Sequence, residues 1–175
     1  IPTIASVKPY TPLELQGRDI YIREGCYLCH SQMVRPFRDE VARYGEYSKA
    51  GEFVYDHPFQ WGSKRTGPDM LEPQSMSPGS IMPSYTWLFD NKIDTAITPA
   101  KIRAMQTLGV PYPAGYDKVA NADLMQQANL IRINLKIEKL ITPANAEIVA
   151  LIAYLQRVGT DIKSAPKPTT AAAVN

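Results

Sequence analysis

At 175 residues the chain suits one domain with a modest core. Its 45% hydrophobic and 21% charged residues are an ordinary globular mix, and a net charge of +2 lacks the basic excess of a nucleic-acid binder. No run approaches the roughly 18 apolar residues of a membrane span, and no secretory signal is visible.

The first residue is Ile1, which predicts a fragment or a processed chain. Residues 1–10, with Pro2 and Pro9, read as an extended segment. Thr11-Pro12-Leu13-Glu14 is a capping box with Pro at the first helical position. It predicts a helix to about Glu24. Gly17 and Tyr21 share one face of it, and Gly17 leaves room for another backbone, expected to be that of the last helix.

Next comes Cys26-Tyr27-Leu28-Cys29-His30, which is C-x-x-C-H, the attachment signature of a c-type haem. Two thiols three positions apart can bond to the two vinyl groups, and the adjacent His30 then stands under the iron as proximal ligand. Two other chemistries use C-x-x-C. A zinc site would need Cys26, Cys29, His57 and a fourth ligand, and His30 is too close to Cys29 to supply it. A thiol-disulfide oxidoreductase would need a βαβ context, and no buried-strand run precedes Cys26.

Arg35 and Arg38 follow, as candidates to neutralise haem propionates or as solvated surface charges. Residues 39–66 read as loop with short helical turns. Within them Phe59 and Trp61 could wall a haem, and His57 is either a second iron ligand or a loop histidine. Thr66-Gly67-Pro68-Asp69 is a turn signal. Met82-Pro83 lies on a loop and could present its thioether to iron, with Met76 in the same loop as its rival. Met105 and Met125 fall in helical patterns and read as core.

Thr98-Pro99 opens another helix, with Ile102, Met105 and Leu108 inward and Gly109 as its stop. Asn121 caps a longer helix with Leu124, Ala128, Ile131 and Leu135 on one stripe. Thr142-Pro143 starts the last helix, whose stripe is Ile148, Leu151, Ile152, Leu155 and Val158, with Tyr154 at its edge. Residues 164–175 read as a flexible tail.

The order of these features resembles class I cytochrome c. More specifically, the runs Gly17 to Cys26, Ser31 to Arg38 and Gly51 to Asp69 resemble the mono-haem subunit (subunit II) of cbb3-type cytochrome c oxidase, over roughly residues 10–90. Residues 90–140 look like the helical insertion of Bacteroidetes-type versions, in which this subunit can be fused to the catalytic one.

The resemblance implies a mostly α, class I cytochrome c-like domain over 11–163 around one covalent haem c. Cys26 and Cys29 would hold the haem, His30 and Met82 would ligate iron, and the Pro68 carbonyl would accept a hydrogen bond from the far nitrogen of His30. It implies an electron-transfer subunit with no catalysis of its own. Electrons would pass from another c-type haem to the catalytic subunit of the oxidase. The implied partners are the catalytic and di-haem c subunits and other c-type cytochromes, on the periplasmic side of the inner membrane, with an anchor beyond this chain. A free cytochrome c carrier is the alternative. One departure stands out: only 12 residues separate Asp69 from Met82, where the family has a longer stretch with further Gly, Trp and His.

Overall fold

The computed structural model describes residues 1–60, 79 and 81–164. Among these it is mostly helical, as a cytochrome c-like domain requires, and the only β pairing is a single antiparallel bridge between Lys92 and Ala146. Helix α1 spans Pro12–Arg23, α2 Arg38–Tyr44, α3 Trp87–Asp90, α4 Thr98–Thr107, α5 Tyr116–Ile137 and α6 Glu147–Arg157.

Helix α1 starts where its capping box predicts. The Glu14 N–H donates to Thr11 Oγ1 at 3.2 Å and the Thr11 N–H to Glu14 Oε2 at 2.8 Å. Gly25, at φ 70°, turns the chain out of the helix. Helix α6 crosses α1 at Gly17. A Cβ on Gly17 would sit 2.6 Å from the Ala150 carbonyl carbon and 2.8 Å from Tyr154 Cβ, so the backbones touch.

This crossing organises the main core, with Leu13, Ile20, Tyr21, Val149, Ala150, Ala153 and Tyr154 at its centre. The Tyr154 ring lies between Tyr10 and Tyr21, with centroids 5.7 and 5.4 Å away. Tyr154 is thus at the middle of the buried face, not at the edge of a stripe. The expected stripe residues Ile148, Ile152, Leu155 and Val158 are only partly buried. Small Ala150 and Ala153 permit the close approach, so α6 turns its small-residue face inward.

A second, smaller core joins Leu15 of α1 to Ile102 of α4 and Ala120 of α5. Here Met105 is half-buried as core, but Leu108 is exposed, because α4 turns one face to α5 and α1 and Leu108 lies off it at the helix end. Helix α5 begins at Tyr116, earlier than Asn121. Gly115 at φ 77° starts it, and Tyr116 stacks on Tyr112 at 5.5 Å. Helix α6 begins at Glu147 rather than at Thr142-Pro143, after a turn in which the Ala146 N–H donates to the Pro143 carbonyl. Pairing of 91–93 with 145–147 fixes that start: the Glu147 N–H donates to the Asn91 carbonyl at 2.9 Å.

Candidate haem site

The C-x-x-C-H stretch folds directly off the end of α1. Cys26–Leu28 form a 3₁₀ turn, and the N–H groups of Cys29 and His30 both donate to the Cys26 carbonyl, at 3.2 and 2.9 Å. The turn splits the two thiols: Cys26 is buried in the main core and Cys29 is exposed, and neither is in a disulfide. His30 is half-buried, and its carbonyl accepts from the Tyr21 hydroxyl at 3.5 Å. Gln32, two residues on, donates from Nε2 to the Tyr154 hydroxyl. The motif is therefore tied to both crossing helices.

Burial pushes the Cys26 thiol up to about 11. The buried Cys26 therefore has little thiolate character of its own.

The segment after Met82 docks beside the motif. Tyr85, with φ 49°, packs on the cluster that contains Cys26. Burial raises its hydroxyl pKa, first among the causes, in keeping with that packing. Trp87 stands edge-on to Tyr85 at 5.3 Å and donates from Nε1 to Glu24 Oε2 at 3.2 Å. Leu88 closes the anchor in the core. Met82 itself is half-buried three residues before Tyr85.

The other predicted residues are distributed as follows. Arg35 is engaged by Glu40, with Nε 2.6 Å from Oε1 and the Arg35 N–H 2.8 Å from Oε2, and it stacks over Phe37 at 5.0 Å. Arg38 is exposed at the start of α2. His57 and Phe59 are exposed on the loop after the Ala50–Phe53 turn. Trp61, Pro68 and Met76 lie outside the described residues, as do residues 165–175 of the expected tail.

Sequence reasoning missed Arg18. It is buried in α1, with Nε 3.0 Å from Asp56 Oδ1 and Nη1 3.3 Å from the His57 carbonyl; Nη2 donates to the Pro58 carbonyl. It clamps the His57–Phe59 loop to α1. A charge on the inward face of a buried helix was the available signal. Also unforeseen was Arg23, whose fork holds Glu147 with 2.7 and 2.6 Å bonds and joins the end of α1 to the start of α6.

The model of the family "Cytochrome C oxidase, mono-heme subunit/FixO" matches residues 1–72 and 70–162. The chain belongs to this family. A search of curated proteins finds no match. The two matched segments of this mono-haem subunit meet at residues 70–72, inside the short stretch between Asp69 and Met82. One haem and membership of the oxidase complex follow from the family.

The residues present fit such a group. Two uncrosslinked thiols share one turn, an imidazole follows, and a thioether sits on a docked loop. Leu28 within the motif and Ile81 beside Met82 are 58% and 85% exposed, apolar surface that a macrocycle can cover.

Proposed function

We propose that this subunit carries one haem c on thioether bonds from Cys26 and Cys29, with His30 and Met82 as iron ligands. The haem, when bound, supplies one-electron exchange between ferrous and ferric iron. In this reading it relays electrons from another c-type haem, in the di-haem subunit or a soluble cytochrome, to the catalytic subunit of a cbb3-type oxidase. The work would be done on the periplasmic face of the bacterial inner membrane.

The observation that supports the reading is that Tyr85, three residues after Met82, packs on the cluster containing Cys26, and Trp87 bonds Glu24, two residues before the motif. The chain's own residues then set the conditions. Tyr21 and Gln32 hold the motif against α1 and α6. A neutral Met sulfur would favour ferrous iron, and apolar cover from Leu28 and Ile81 would disfavour the extra charge of ferric iron, so both would raise the potential. The Pro68 carbonyl would orient His30, and Trp61 and Phe59 would wall the haem. Arg38 is the better placed propionate partner, since Arg35 is already balanced by Glu40.

The test is a visible spectrum, oxidised and dithionite-reduced, with the near-infrared Met-to-iron band. The wild type should be low-spin c-type with that band. Met82→Ala should lose the band and lower the potential by a sizeable part of the roughly 0.8 V that axial ligands span. An unchanged Met82→Ala spectrum would move the assignment to Met76, and a c-type wild-type spectrum without the band would move it to His57. A colourless protein from haem-competent cells would end the cytochrome reading.

A further inference from the structure

Helix α5 is apolar on two opposite sides. Leu124, Ala128 and Ile131 are buried against the core. Leu130, Ile133 and Ile137 fall within a sector of about 60° on the far side, by the helical repeat, and all three are exposed. The chain just beyond the helix adds Leu140 and Ile141 to these exposed aliphatic side chains; Ile137 is 73% exposed and Ile141 92%. Scattered exposed leucines are ordinary, but five aliphatic side chains within residues 130–141 form a patch.

One border of the patch is basic. Arg132, Lys136 and Lys139 are exposed, against Glu138 alone, and none of the three cations is in an ion pair among the described residues. Lys139 holds a φ of 65° at the helix end, where the Leu140 N–H closes back on the Leu135 carbonyl at 2.9 Å. Glycine is the residue that takes this conformation without cost, so a lysine here is held at an energetic loss.

We infer that the C-terminal half of α5 and residues 138–141 form a docking surface for an anionic lipid bilayer. An aliphatic stripe with a cationic flank is the signature of a helix lying in a membrane interface. A protein partner would be met by aromatic, Met and Arg anchors, and the stripe has only Leu and Ile. The inference extends the membrane association proposed above.

The test is vesicle co-sedimentation of the haem-loaded chain, read by tryptophan fluorescence, with phosphatidylglycerol-containing and pure phosphatidylcholine vesicles. The wild type should bind the anionic vesicles. Ile137→Glu with Ile141→Glu, both at exposed sites, should weaken binding by about tenfold or more. Arg132→Gln with Lys136→Gln and Lys139→Gln should weaken it by about fivefold or more per charge removed, and raised salt should mimic that loss. Far-UV circular dichroism should be unchanged in both variants. No vesicle binding by the wild type, equal binding by the Glu variant, or equal binding to pure phosphatidylcholine overturns the proposal. A dimer, or a detergent-solubilised oxidase assembly, lost in the Glu variant without wild-type vesicle binding assigns the surface to a second copy or a protein subunit instead. The haem spectrum is read separately: a colourless protein that still binds vesicles sinks the cytochrome reading alone.

Discussion

Gly17 and Ala150 bring the backbones of α1 and α6 into contact, with Tyr154 closing the gap from the next turn. No methyl group fits between them, because the nearest atoms on the α6 side are the Ala150 carbonyl and the Tyr154 Cβ, neither a flexible side-chain end. Gly17→Ala therefore has to push the helices apart, separating Tyr154 from Tyr10 and Tyr21. We expect a loss of about 3 kcal/mol in denaturant unfolding of the haem-loaded protein. Gly45→Ala meets open space but sits at φ 98°, so it separates pure backbone strain from crowding and should leave the Tyr154 packing intact.

Arg18 and Asp56 form an ion pair with side chains 6% and 0% exposed. Asp56→Asn would leave the guanidinium buried without a counter-charge. A loss of about 3–5 kcal/mol is expected from urea unfolding. In a double-mutant cycle with Arg18→Met the coupling should exceed about 2 kcal/mol. Additive effects would mean that Arg18 acts only through the His57 and Pro58 carbonyls.

The parts of the fold legible in the sequence were those written in local signals. Thr11 to Glu14 gave the start of α1, and Gly17 gave the α1–α6 contact. The C-x-x-C-H run marks the candidate haem site, and the structure folds it as a 3₁₀ turn directly after α1. What stayed hidden depended on residues far apart in sequence. Asp56 lies 38 positions from Arg18, and nothing local marks it as a partner. In α6 the periodicity of large side chains drew attention to Ile148 and Leu155, whereas the tightest face is built from Ala150, Ala153 and Tyr154. Pattern reading weights bulk, and close helix contact selects small residues. The start of α5 was misplaced because Asn121 is a good cap by type, but stacking of Tyr112 on Tyr116 extends the helix to Gly115.

Glu147 links stability to pH. Its carboxylate is held below the ordinary 4.5, first by hydrogen bonds from Arg23 and then by Arg23's charge and Asn91. A depressed carboxylate contributes stability that is complete above its unfolded value and is lost as pH falls through the folded one. Unfolding midpoints should therefore fall as pH drops below about 4.5. Glu147→Gln should be less stable at neutral pH and should flatten that acid limb. An acid limb as steep as wild type in Glu147→Gln would assign the acid sensitivity to other carboxylates.

Lys139 sets stability against surface chemistry at the end of α5. Its left-handed backbone costs about 1–2 kcal/mol for a residue with a Cβ, and the helix end it caps would accept glycine directly. Lys139→Gly should therefore raise stability, by about 0.5–1 kcal/mol once the extra freedom of glycine in the unfolded chain is subtracted. The same change removes one cation from the border of the apolar stripe, so binding to anionic vesicles should weaken. Lys139→Asn separates the two effects, because asparagine tolerates the left-handed region but carries no charge. It should fall between lysine and glycine in stability and match glycine in vesicle binding. If both variants bound vesicles as tightly as wild type, the strained lysine would have no part in the docking surface, and Arg132 and Lys136 alone would supply its charge.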